Sequence, residues 1–96
     1  MNNKRRTTIK HATNDFLEKV DELLTDYRET LEGVLNEEQE AYDNMTESMQ
    51  ESEKGEACET AISALEDYIE NLDIDNLRYD YLEVSTLYED CGIEGD

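Results

Sequence analysis

Apolar residues recur along this chain at helical spacing, and they do so in three runs. The first run is Ile9, Phe16, Val20, Leu23/Leu24, Tyr27, Leu31, Val34/Leu35, Ala41/Tyr42 and Met45, with Glu38 occupying one position of the same series. From Val20 onward the steps alternate close to three and four, the period of a helix with one buried stripe. The pattern predicts a long first helix over about 9–45. A helix of some 35 residues is roughly 50 Å long at 1.5 Å per residue. Gly33 is its weak point, at a cost of about 1 kcal/mol relative to alanine.

Polar, small and capping residues then cluster from Asn44 to Gly55, which reads as a connector. A second apolar stripe (Cys58, Ala61/Ile62, Leu65, Tyr68/Ile69, Leu72) predicts a helix over 55–72. Ile74, Leu77, Tyr81, Val84, Tyr88 and Cys91 form a third stripe about two residues out of step with the second, or roughly 200° around a helix. One straight helix cannot bury both against the same partner. A break near Asp73–Asn76 resolves the conflict, with Asp75 or Asn76 as N-cap and Gly92 as the stop of a third helix over 76–91. Tyr79, Tyr81 and Val84 have good strand propensity, but the spacing of three and four persists for five steps and favours helix. The expected fold is all-α, an antiparallel helical hairpin or three-helix bundle. It has a single helical domain over 9–92, a basic tail over 1–8 and an acidic tail over 93–96.

Composition changes this picture in two ways. Of 96 residues, 36 % are hydrophobic and 36 % charged, so the core is thin and self-association, as a homodimer, or a bound partner is expected. The net charge is −19 and is unevenly placed. Lys4, Arg5, Arg6 and Lys10 lie in the first ten positions; from Ala12 onward four basic residues face all 27 acids, leaving −23. Such a field disfavours direct contact with nucleic acid and favours a basic protein partner. The chain has no proline, and its periodic apolar residues argue against an acidic disordered segment. No apolar run approaches the ~18 residues of a membrane span, and the basic N-terminal residues are not followed by an apolar signal core. The expected location is cytoplasmic.

Candidate chemistry is sparse. His11 is the only histidine, and Cys58 and Cys91 stand 33 residues apart without a Cys-x-x-Cys pair, so neither a zinc site nor any other metal or cofactor is expected. Asp73-Ile74-Asp75-Asn76 resembles the opening of a calcium loop but lacks the glycine at its sixth position and the glutamate at its twelfth. The midpoint of the two cysteines falls in the proposed break, which would set the thiols at one level if the flanking helices fold back on each other. No phosphate loop, nucleophile–base pair or distinguishable carboxylate pair is present, and the chain is not expected to be an enzyme.

What remains is the order of the acids. Asp15, Glu18, Glu22, Asp26 and Glu29 follow steps of three and four on the first helix, as do Glu66, Glu70 and Asp73 on the second. Neighbours at these steps lie ~5–6 Å apart, near the spacing of phosphates along a nucleic-acid strand. These residues are candidate partner-binding positions, a helical face able to occupy a basic channel built for DNA or RNA. Tyr79, Tyr81 and Tyr88 are candidates for an aromatic contact patch beside them.

The stretch from Asn36 to Glu56, NEEQEAYDNMTESMQESEKGE, resembles the signature of a group of small acidic helical proteins of bacteriophages and prophages, whose pattern runs E-E-Q-E-A-[YF]-D-N-x-P-E-S-x-Q-x-S-E-x-G. The opening Asn3-Lys4-Arg5-Arg6 is similar as well. Thr46 stands where the pattern has proline, and the chain from Asp73 onward does not resemble the group. The resemblance implies origin in a mobile element. Small acidic phage proteins are often inhibitors of host defence, including anti-CRISPR proteins and DNA mimics. The expected function is therefore inhibition of a host nuclease through its nucleic-acid-binding surface. The alternative is a self-assembling helical protein in phage morphogenesis or regulation.

Overall fold

A computed structural model describes residues 1–94 and contains, among them, helices and no strand. In chain order these are α1 (Asn3–Asp43), α2 (Glu47–Gln50), α3 (Glu53–Glu70), α4 (Ile74–Asn76), a π-helical turn (Leu77–Tyr81) and α5 (Val84–Cys91). The chain divides into two compact units. One is formed by Met1–Leu24 with the residues from Asp73 onward, the other by Thr25–Leu72.

The Thr25–Leu72 unit is an antiparallel hairpin of α1 on α3. Its seam uses Arg28, Leu31, Leu35, Glu38 and Tyr42 of α1 and Met45 just after it. On α3, Cys58 and Ile62 are buried and Ala61, Leu65 and Ile69 half-buried. Cross-helix pairs fix the direction: Tyr27 meets Tyr68, Glu38 meets Cys58 and Tyr42 meets Glu59. The doubled apolar positions are resolved by rotation at about 100° per residue. Leu35 and Tyr42 face the seam, while Val34 stays 45 % exposed. Tyr27 yields its expected place to Arg28, whose guanidinium donates to the Leu72 carbonyl beyond the end of α3. There its charge meets the negative end of the helix.

The other unit packs Leu17, Val84, Tyr88 and Ile93 into its core, with Ile9, Ile74 and Cys91 against them. Leu17, 6 % exposed, takes the place expected of Phe16, which is 52 % exposed. Helix α1 also starts earlier than its apolar pattern. Asn2 accepts the Arg5 amide at 2.9 Å and caps the first turn. Arg6 donates through Nε to the Cys91 carbonyl at 3.0 Å and Lys10 through Nζ to the Glu94 carbonyl at 3.2 Å. The basic residues expected as a tail thus continue the helix, and two of them hold the carbonyl end of α5.

Beyond α3 the expected single helix over 76–91 is three pieces. The cap lies earlier than expected, at Asp73, whose carboxylate accepts the Asn76 amide at 2.8 Å. The π-turn widens the helix over Leu77–Tyr81, where Leu82 donates back to the Leu77 carbonyl at 2.8 Å. Glu83 then adopts a left-handed conformation (φ 49°, ψ 44°) and separates the turn from α5. Gly92 ends α5 at φ 69°, as its position predicted.

Candidate functional site: acidic helix faces and the segments between them

Asp15, Glu18, Glu22, Asp26 and Glu29 are all exposed on α1. At about 100° per residue Asp15, Glu18 and Glu22 span roughly 60° of the helix, and Asp26 and Glu29 lie opposite the hairpin seam. Asp15, Glu18 and Glu22 belong to the first unit, Asp26 and Glu29 to the hairpin. Several of the chain's cations are engaged elsewhere, Arg6, Lys10 and Arg28 all donating to backbone carbonyls. Glu66 and Glu70 are exposed on α3 and occupy the flank away from Tyr68. Asp73 is half-buried and serves as the N-cap of α4, so its carboxylate is a folding element rather than part of an open stripe.

The aromatic patch is smaller than expected. Tyr79 and Tyr81 are 54 % and 77 % exposed, whereas Tyr88, at 4 %, is in the core. It falls one turn after Val84 on the buried side of α5, and the π-turn and Glu83 separate its face from that of Tyr79 and Tyr81. An apolar surface not expected from the sequence lies on the hairpin. The Tyr27 and Tyr68 rings meet edge to face at 6.3 Å, with their hydroxyls 3.1 Å apart. That hydrogen bond is the main reason the Tyr27 hydroxyl titrates above its ordinary range. The signal was present in the phase of the sequence: Tyr27 and Val34 share one line on α1, offset from the seam by roughly 80°.

Two side chains at the hairpin seam carry perturbed chemistry. The Cys58 thiol donates to Glu38 Oε1 at 2.8 Å, and this hydrogen bond, followed by burial and the negative charge, pushes its pKa up to about 11. Glu38, the one acid at a seam position of the sequence, is thereby held by a thiol. The Tyr42 hydroxyl donates to Glu59 and is raised for the same leading reason. Both shifts favour the neutral, proton-donating form, the opposite of an activated nucleophile. Both cysteines are free; Cys58 lies beside Glu38 in the hairpin, and Cys91 packs against the Leu17 core of the other unit. Among the described residues no group of three His, Cys, Asp or Glu is placed to hold a metal ion, and no helix is long and apolar enough to cross a membrane.

The motif from Asn36 to Glu56 is occupied with building the hairpin. Gln39 donates to Asp43 at 3.1 Å and Gln50 to the Tyr42 carbonyl at 2.9 Å. Thr46 caps α2 by accepting the Met49 amide, and Ser52 caps α3 by accepting that of Gly55. Gly55 is buried, and a Cβ there would stand 2.2 Å from the Gln50 carbonyl oxygen, so only glycine permits this crossing of backbones. Thr46 has φ −66°, the angle at which a proline ring is locked. Comparison with family models, curated proteins and solved structures found no match.

Proposed function

We propose that this chain is an acidic helical inhibitor of phage type, whose exposed carboxylate faces occupy the basic nucleic-acid channel of a host defence nuclease such as a CRISPR effector. The observation that carries this reading is the exposure of Asp15, Glu18 and Glu22 on α1 in the first unit, and of Asp26 and Glu29 opposite the seam in the hairpin. Packing does not require charge there, and a net charge of −19 exceeds what solubility needs. Regular backbone fixes the pitch of these carboxylates, so few degrees of freedom are lost when they meet a row of lysines and arginines. Association is steered by charge and weakens as salt screens it. The resemblance of residues 36–56 to phage and prophage proteins supports the same reading.

The test is competition. Labelled DNA on an RNA-guided nuclease is titrated with the chain across a salt series. Displacement at low salt that fades at high salt is expected, and converting Glu18, Glu22 and Asp26 to lysine abolishes it. Failure to bind any basic nuclease of a panel at low salt overturns the reading.

A second reading, self-assembly, is favoured by a different observation. Leu23 is 70 % exposed and Phe16, Tyr27, Val34 and Tyr68 are each about half exposed, and large apolar side chains left to water are candidates for an interface. Sedimentation equilibrium of the wild type against Leu23→Ser and Tyr27→Ser separates the two. Only self-assembly predicts a concentration-dependent mass that these changes remove.

A further inference from the structure

The first unit contains a cavity of about 320 Å³ between the π-turn and α5, a size at the lower end of small-molecule sites, roughly 300–1,000 Å³. It exists because two adjacent backbone irregularities meet there. The π-turn widens the helix at Leu77–Tyr81, and the left-handed Glu83 sets α5 off in a new direction, so the two pieces do not close on each other. Val84 and Ile93 give the cavity an apolar floor, and the Tyr79 ring stands at one side with the Arg78 guanidinium 5.7 Å from its centroid.

Polar groups line the rest of it. Tyr88 lines the cavity and is 4 % exposed, yet its hydroxyl is buried without a hydrogen-bond partner. Buried hydroxyls in native proteins are nearly always paired, and an orphan costs the desolvation of the group. Ser85 supplies a second hydroxyl to the wall and Arg78 a positive charge, in a chain with few basic residues to place. Glu89 also lines the wall.

We propose that this cavity binds a small organic monocarboxylate with a compact apolar body. Its carboxylate accepts from the Tyr88 hydroxyl and pairs with Arg78, and its body lies on Val84 and Ile93. An acceptor is what the orphan hydroxyl lacks, and the Arg78 guanidinium on the same wall favours an acceptor that carries negative charge. The Glu89 carboxylate on the same wall selects against dianions such as phosphate. The site is separate from the carboxylate faces of α1 and does not depend on the function proposed for them.

The test uses the full chain, with binding followed by amide chemical shifts. The probes are 4-methylpentanoate, its neutral amide and inorganic phosphate. Saturable shifts confined to residues 77–94 are expected with the carboxylate, and none with the amide or phosphate. Tyr88→Phe and Arg78→Gln each weaken binding by about tenfold or more, the effect of losing one hydrogen bond to a charged group. Tyr88→Phe keeps the ring in the core, so its melting temperature is unchanged or raised while binding is lost, an outcome that a purely structural hydroxyl would not produce. No saturable shift with the carboxylate, equal response to the amide or to phosphate, or undiminished binding by Tyr88→Phe each overturns the proposal. Reversal of Glu18, Glu22 and Asp26 leaves this binding in place, whatever it does to competition with DNA.

Discussion

The hairpin connector and the segment after Asp73 are similarly acidic, but they are built on opposite terms. In the connector nearly every irregularity has a local remedy: Thr46 and Ser52 cap the helices that follow them, Gln50 returns to the Tyr42 carbonyl, and Gly55 allows two backbones to touch. After Asp73 the remedies run out. A π-turn is followed by a non-glycine residue at positive φ, and a buried tyrosine hydroxyl has no partner. Locally consistent segments serve folding, while unremedied strain and orphaned polar groups gather where a protein does something else. On that basis the connector is scaffold, and the segment after Asp73 is where the proposed ligand site lies.

The sharpest way to break this contrast is at Gly55. Gly55→Ala drives a methyl into the Gln50 carbonyl and is expected to cost about 3 kcal/mol, read by thermal unfolding followed by circular dichroism. Leu17→Ala is next, at about 2 kcal/mol in so thin a core. Phe16→Ala, one residue away but half exposed, should stay within about 0.5 kcal/mol. If the two are equal, the assignment of the seam is wrong. In the strained segment the sign reverses: Glu83→Gly removes the side chain's conflict with a left-handed backbone and is expected to stabilise by about 1 kcal/mol. In the connector Thr46→Ala loses a cap and costs about 1 kcal/mol. Thr46→Pro loses the same hydroxyl but recovers most of it by restricting the unfolded chain, and should melt within about 0.5 kcal/mol of the wild type.

The smallest effect concerns the seam thiol. The folded pKa of Cys58, about 11, lies above the ordinary value of 9.0. The associated stability is therefore complete below pH 9 and is lost as pH rises through about 11. Glu38→Gln removes the negative acceptor. Its unfolding midpoint should lose this dependence, and alkylation of Cys58 near pH 9 should become faster relative to the wild type.

Much of the fold is legible in the spacing of residues along the chain. The steps of three and four mark α1 and α3, the out-of-phase third stripe marks a break, Gly92 marks the end of α5, and Glu38 stands out as an acid at a seam position. The start of α1 is not legible, because Arg6 and Lys10 are held by the Cys91 and Glu94 carbonyls some 85 residues away in sequence. Nor are the π-turn and the exposure of Tyr81, since Tyr81, Val84 and Tyr88 keep helical spacing on paper while the backbone between them does not. The candidate carboxylates divide along the same line. Asp15 through Glu29 need only helix periodicity to be placed on one face, whereas Asp73 is drawn into a cap by a neighbour's amide.

By itself, then, the sequence determined that this protein is helical, where the acids concentrate and which face of the long helix carries them, because periodicity and charge are local properties of a chain. The tertiary structure decided which of two adjacent apolar residues is buried, as with Leu17 over Phe16, and it seated Arg28 rather than Tyr27 in the seam. It also decided that Glu38 meets a thiol and that a cavity opens beside Tyr88. Those outcomes depend on what the opposite element offers at the same level, and spacing along one helix carries no information about its partner.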